Sequence, residues 1–249
     1  MYLYIYDEYV QEKRHEREMA AVENRLTDLG ITGKIIRLAL FRHAGEQILD
    51  DARRGVTTVV VVGNDHTISK VLDAVVEAGL PLGIIPIGSD NAFARMIGVP
   101  EGVQACDVLS ARVIQQVDVG RLNGRRFVAG LKILSPEILL TCDDRYRVSL
   151  THHGTIEIHN FTTLDSDAPD EVSNPQDQQL DAVIRVASPN RFFGRHAGTR
   201  TRLPIQKARI EGDELIRILC DGQEVRGEHF QIDLDSQRLK VITGRSRQF

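Results

Sequence analysis

Two short loops in the first hundred residues carry side chains suited to chemistry. Gly63-Asn64-Asp65-His66-Thr67 follows the apolar run Val59 to Val62, and Gly88-Ser89-Asp90-Asn91 follows Ile84-Ile85-Pro86-Ile87. A glycine lets backbone amides approach an anion closely, and a helix starting just beyond turns its positive end to the same place. Asp, Ser, Thr and Asn add a carboxylate, hydroxyls and an amide. Phosphoryl transfer asks for such a set: donors around phosphate and a carboxylate to orient or deprotonate the attacking hydroxyl. A further carboxylate, Asp221, stands in Cys220-Asp221-Gly222-Gln223. Each candidate also has a structural reading. Asp65 or Thr67 suits a helix N-cap, Ser89-Asp90-Asn91 a turn before a helix from Ala92, and Asp221-Gly222 a hairpin turn.

The elements that must position these loops alternate in type. Leu3 to Tyr6 reads as a strand, and Glu12 to Leu29 as a helix with Met19, Val22, Leu26 and Leu29 on one face. A strand over Lys34 to Leu40, a helix over Ala44 to Arg54 and a strand over Thr57 to Val62 follow, the last apolar on both faces as a covered parallel strand requires. Ile68 to Ala78 has helical spacing with Gly79 as its stop, and Leu82 to Ile87 is another buried strand. This order predicts an open α/β sheet, with ligands bound beyond the C-terminal ends of its strands. Gly63 to Thr67 is therefore the first candidate site.

From Val117 the texture becomes β. Strands are expected over Val117 to Val119, Arg126 to Val128, Arg145 to Leu150, Thr155 to His159, Leu180 to Ala187, Leu203 to Glu211, Glu214 to Cys220 and Leu239 to Ile242. Asp165 to Gln179 is too polar to pack and reads as a mobile loop. The organisation expected is an α/β nucleotide-binding domain over 1–116 and a mostly β, sandwich-like domain over 117–249.

Composition narrows the function classes. The 249 residues, 42% hydrophobic and 27% charged, are those of an ordinary globular protein. A formal net charge of −4 argues against nucleic acid as partner. Cys106, Cys142 and Cys220 are too scattered for a metal knuckle or a disulfide framework, which fits a reducing compartment. The N-terminus turns acidic at Asp7, unlike a signal peptide, and no apolar run approaches the roughly 20 residues of a spanning helix. The expected location is cytoplasmic, with any membrane contact peripheral. Arg191, Arg195, Arg200 and Arg202 suit an anionic surface or a solvated loop.

The two loops, in this order, resemble the paired nucleotide-binding signature of the diacylglycerol kinase catalytic family. That family carries Gly-Gly-Asp-Gly-Thr after a buried strand, then Pro-x-Gly-Thr-x-Asn-x-x-Ala before a helix. Here the second reads Pro86-Ile87-Gly88-Ser89-Asp90-Asn91-Ala92-Phe93-Ala94. Val117 to Phe127, Leu180 to Ile184 and Cys220 to Gln223 are similar to later family segments, so the resemblance runs through nearly the whole chain. It implies a two-domain lipid kinase with ATP in a cleft between the domains, ATP and Mg²⁺ as cofactors, and a lipid such as diacylglycerol as acceptor. Gly63, Asn64, Asp65, His66, Thr67, Gly88, Ser89 and Asn91 would serve the nucleotide. Asp65 and Asp221 would be catalytic, Asp221 as general base. NAD kinases share the first motif but not the second.

Several positions depart from the family pattern. Asn64 and His66 replace glycines, and Asp7-Glu8 stand where an Asn-Pro turn is usual, placing carboxylates where they would repel a triphosphate. Gln223 replaces the glutamate of Asp-Gly-Glu, and Phe127 to Leu140 lacks a long helical insertion. His66 would add charge to a phosphate site only when protonated. These departures imply an alternative: a catalytically impaired relative, a pseudokinase, that binds nucleotide, lipid or a protein partner.

Overall fold

The computed structural model describes residues 1–38, 44–150, 154–161, 173–186 and 199–249. The expected strand end at Leu40, residues 165–172 of the polar loop, the strand end at Ala187, and Arg191 and Arg195 lie outside the described residues. The chain divides into two compact units, residues 1–117 with 237–249, and residues 118–236.

The first unit is a six-stranded sheet. Its strands are β1 (Tyr2–Tyr6), β2 (Gly33–Arg37), β3 (Thr58–Gly63), β4 (Leu82–Pro86), β5 (Ile114–Val117) and β16 (Leu239–Ile242), in the spatial order β2-β1-β3-β4-β16-β5. The pairs among β1 to β4 are parallel, β16 adds parallel to β4, and β5 runs antiparallel to β16. Val59 to Val62 are fully buried, as a central strand covered on both faces should be, and each side chain contributes about 1.5–3 kcal/mol through burial. Helices α1 (Glu16–Asp28), α2 (Ala44–Arg53), α3 (Asp65–Ala78), α4 (Ala92–Met96) and α5 (Ala105–Ala111) complete this unit.

Two sequence expectations need correction here. The helix expected from Glu12 starts at Glu16, because Tyr9–Gln11 and Lys13–His15 form two single 3-10 turns. The second domain does not run to Phe249. Leu239, Val241 and Ile242 are buried in the first sheet between β4 and β5, so the last segment returns to the α/β unit and the division is not 1–116 and 117–249.

The second unit is mostly antiparallel β: β6 (Gly120–Leu122), β7 (Arg125–Phe127), β8 (Gly130–Ile133), β9 (Leu139–Cys142), β10 (Tyr146–Ser149), β11 (Gly154–His159), β12 (Leu180–Val186), β13 (Thr199–Ile205), β14 (Lys207–Cys220) and β15 (Gln223–Leu234). Its sheet has the order β13-β12-β11-β8-β14-β15-β6-β7, with β9 pairing β14 and β10. Side chains such as Ile133, Leu140, Ile158, Ile184, Ile210 and Ile232 enter one core. The long strand β14 shifts register between Glu211 and Ile216, so its first part pairs with β9 and its last part with β8. Strand β15 escaped the sequence reading because Glu224, Arg226, Glu228 and His229 face outward and mask its apolar residues.

Candidate functional site

Strands β3 and β4 are neighbours, so the loops at their C-terminal ends lie side by side. The amide of Ile87 donates to the carbonyl of Gly63 at 3.0 Å, and the amide of Asp65 donates to the carbonyl of Asp90, also at 3.0 Å. The structure thus brings Gly63 to Thr67 together with Gly88 to Asn91, as the paired motifs anticipate.

The start of α3 is organised by Asn64. Its Oδ1 accepts from the amide of Thr67 while the Thr67 hydroxyl accepts from the amide of Asn64, a reciprocal capping box. Asn64 is the N-cap, not Asp65 or Thr67, and its φ of −129° is extended backbone open to any residue. No glycine is required there. Gly63 is required for a different reason: a Cβ would come 2.3 Å from the Thr67 hydroxyl, which folds back beneath the loop.

That hydroxyl donates to Asp7 Oδ2 at 2.8 Å, and the Lys70 ammonium donates to the same oxygen at 2.9 Å. Asp7, at the end of β1, is buried and also accepts from the amide of Glu8. Burial by itself raises the Asp7 pKa, but the Lys70 ammonium and the Thr67 hydroxyl outweigh it and hold the carboxyl below its ordinary value. The negative charge anticipated at Asp7 is therefore neutralised within the fold by Lys70. Glu8 is exposed.

Asp65 caps a helix other than its own. Its Oδ2 accepts from the amide of Ala92 at 2.8 Å and its Oδ1 from the amide of Phe93 at 3.2 Å, the first turn of α4. Asn91, the N-cap residue of α4 by position, makes no side-chain cap. Its Nδ2 instead donates to the carbonyl of Gly88 at 2.8 Å, and its buried Oδ1 has no hydrogen-bond partner among the described residues. Gly88 needs its freedom, with a φ of +75°. The Ser89 hydroxyl donates to Asp90 Oδ2, and His66 is exposed on the first turn of α3.

Sequence reasoning missed two rings beside Gly88. The Tyr9 hydroxyl donates to the carbonyl of Ile87 at 2.7 Å, and Tyr9 and His15 meet edge to face with centroids 5.8 Å apart. A Cβ on Gly88 would touch both rings, at 3.4 and 3.7 Å. Burial pushes the Tyr9 hydroxyl pKa upward, so the phenol stays protonated as a donor. The only sequence signal was the unusual replacement of the turn after β1. Lys70 was equally hidden, since it meets Asp7 across 63 positions.

Asp221 belongs to the second unit, in the two-residue turn between β14 and β15. Asp221 and Gly222 both have positive φ, +46° and +80°, as a type I′ hairpin turn demands. The Asp221 carboxylate accepts from the amides of Val128, Ala129 and Gly130 at 2.8, 2.9 and 3.0 Å. Burial pushes its pKa up, while the three amides oppose that shift. Gln223 accepts from Arg125 at 2.6 Å. Among the described residues, no three or more His, Cys, Asp or Glu side chains converge to hold a metal ion. The three cysteines are free and buried, with thiols raised by burial to about 11 at Cys106 and Cys142 and about 12 at Cys220. No described helix is long and apolar enough to cross a membrane.

Comparison with known proteins follows the same residues. The family model for the diacylglycerol kinase catalytic domain matches residues 1–122. The chain is 33% identical to the diacylglycerol kinase of Bacillus subtilis over 90 residues, which are 34% of this chain and 29% of that protein. It is 26% identical to the probable lipid kinase YegS of Salmonella heidelberg over 142 residues, 54% of this chain and 48% of that one. The chain thus spans less than half the length of these relatives. A putative diacylglycerol kinase from Bacillus anthracis has the same fold, with a TM-score of 0.78 at 17% identity, covering 98% of this chain and 96% of that one. Over residues 1–122 the chain belongs to the diacylglycerol kinase catalytic domain family.

Proposed function

We propose that the protein is an ATP-dependent lipid kinase that transfers the γ-phosphate of ATP to a lipid hydroxyl, such as that of diacylglycerol. The observation that carries this reading is the grip of Asp65 on Ala92 and Phe93, which holds the two motif loops as one platform at the ends of β3 and β4. Ligands bind at this end of an open parallel sheet. Gly63, Asn64, Asp65, His66, Thr67, Gly88, Ser89 and Asn91 are the proposed nucleotide-binding residues. The Oδ1 of Asn91, without a partner among the described residues, is an acceptor with capacity to spare. Asp65 acts by fixing the loops. Asp221 is a candidate proton acceptor for the lipid hydroxyl.

Mg²⁺ would be held by the nucleotide phosphates together with one or two carboxylates, an arrangement that needs no cluster of three or more protein ligands. The names of the relatives from Bacillus and Salmonella support a lipid acceptor. A cytoplasmic protein meeting the membrane peripherally fits such a substrate.

A second reading, a relative that binds nucleotide, lipid or a protein partner without transfer, is favoured by one observation. The amides of Asn64, Asp65, Thr67, Ala92 and Phe93 already have acceptors within the protein, which leaves fewer for phosphate. Calorimetric titration with Mg·ATP tests both readings at their common root. Saturable binding in the micromolar to low millimolar range supports a nucleotide site, and no heat of binding at millimolar ATP would sink the kinase reading.

A further inference from the structure

The edge of the first unit that carries the two loops also gathers cations that have no part in the account so far. Strand β16 runs parallel to β4, so the chain leaves it at the same C-terminal edge of the sheet. There the amide of Gly244 donates to the carbonyl of Ile97, and the amide of Gln248 to the carbonyl of Met96, both at 2.9 Å. Residues 244–248 are thereby laid along the end of α4, so close that a Cβ on Gly98 would come 2.5 Å from the Arg247 amide nitrogen. This places Arg245 and Arg247 next to the segment that carries Arg95. Lys13 stands in the same 3-10 turn as His15, whose ring lies against Gly88, and Arg37 is the last residue of β2.

All five side chains are exposed, and none has a carboxylate partner among the described residues. Toward the opposite end of the sheet the cations are paired instead, Arg25 with Asp107, Lys34 with Asp51 and Arg53 with Asp50, Arg54 being the exception. The carboxylates of the loop edge are largely engaged within the fold: Asp7 faces Lys70, Glu12 faces Arg14, Glu18 faces His15, and Asp65 caps α4. Glu16 and its neighbour Arg17, in the first turn of α1, offset each other. Glu8 and Asp90 are left against the five cations. A chain of net charge −4 therefore turns a positive edge outward where its two motif loops lie. Such an edge attracts a negative surface within a Debye length of about 8 Å at physiological salt.

We propose that this edge docks on an anionic bilayer, with Arg95, Arg245 and Arg247 meeting the phosphate groups of its lipids. This rests on the kinase reading given above, because a diacylglycerol hydroxyl is reached at a membrane surface and must come to the edge that holds ATP. Guanidinium groups suit the role, since their planar fork takes two phosphate oxygens at once. The attachment is electrostatic and reversible, each arginine raising the partition onto an anionic surface about fivefold.

The test measures co-sedimentation of the full chain with vesicles of phosphatidylcholine, alone or with about one third phosphatidylglycerol, beside calorimetric titration with Mg·ATP. Binding is expected to the anionic vesicles only, and should be lost between about 0.05 and about 0.5 M salt. R95Q/R245Q/R247Q is expected to lower the partition coefficient about 100-fold at unchanged Kd for Mg·ATP. R25Q/R53Q/R54Q removes the same charge toward the opposite end of the sheet and should bind anionic vesicles as the wild type does. Equal losses in the two triple variants would overturn the docking edge. So would a weakened Kd for Mg·ATP in the first variant, which assigns its arginines to the nucleotide. A wild-type chain that binds Mg·ATP but ignores anionic vesicles would overturn the docking edge and leave the kinase reading standing. Vesicle docking lost only in the first variant, by a chain that binds no ATP, would support the edge and sink the kinase reading instead.

Discussion

The carboxylate of Asp65 accepts a hydrogen bond from the backbone N–H of Ala92, 27 residues further along the chain, at 2.8 Å. One side chain thereby caps the helix that begins at the neighbouring loop and fixes the distance between the two loops proposed to hold nucleotide. Asp65→Ala removes that cap and is expected to lower unfolding stability by about 1 kcal/mol. Asp65→Asn, which keeps one acceptor oxygen, should lose less. Urea denaturation of the three proteins gives the order, and equal stabilities would contradict the capping role.

Asp7 and Lys70 make a pH-dependent pair. The folded-state pKa of Asp7 is depressed, so its stabilising contribution is present above the unfolded value, 3.8, and is lost as the pH falls through the lower folded value. Lys70→Met is expected to cost about 1–2 kcal/mol at neutral pH, where it leaves a buried carboxylate with only neutral donors. That cost should shrink as the pH falls, because burial without Lys70 raises the carboxyl pKa in the folded variant and it is protonated there before it is in the wild type. Denaturation midpoints measured from pH 7 down to pH 3 check both the size and the sign.

Gly88 is the one glycine at the site that its backbone angle demands. Gly88→Ala places a side chain at a φ of +75° and against the Tyr9 ring, and is expected to cost about 1–2 kcal/mol of stability. It should also weaken Mg·ATP binding, because the loop must shift to relieve the strain. An alanine variant with wild-type melting temperature and affinity would contradict this role for Gly88.

Asn64 and His66 separate the needs of the fold from those of the ligand. Asn64→Gly should cost only a few tenths of a kcal/mol, whereas Asn64→Ala should cost about 1 kcal/mol, because glycine is the better substitute at an N-cap. Restoring glycine at both 64 and 66 opens space above α3 and is expected to tighten Mg·ATP binding. Weaker binding by the double variant would contradict this and show that the Asn64 or His66 side chain, and not the backbone alone, holds the nucleotide.

The parts of this architecture that were legible in the sequence are those written locally. Val59 to Val62 announced a central strand because every side chain along it is apolar, and Gly79 announced the end of α3 through its left-handed conformation. The two loops were legible as a pair because their glycines and small polar residues fall just after buried strands. What stayed hidden depends on partners distant in the chain. Nothing local distinguishes an aspartate that caps its own helix from Asp65, which caps another, or predicts that Lys70 neutralises Asp7. The return of β16 was hidden for the same reason: Leu239 to Ile242 reads as a strand, but only the gap between β4 and β5 says to which sheet it belongs.

The central claim is that this chain moves phosphate onto a lipid. The most direct measurement incubates the full chain with Mg²⁺, ATP labelled in the γ-phosphate, and diacylglycerol in mixed micelles, and follows label in the extracted lipid. The account predicts label in the lipid that depends on Mg²⁺ and on enzyme and falls sharply in Asp65→Ala. Saturable ATP binding without label in any lipid of a broad hydroxyl-bearing panel would contradict it and leave a nucleotide-binding protein without transfer.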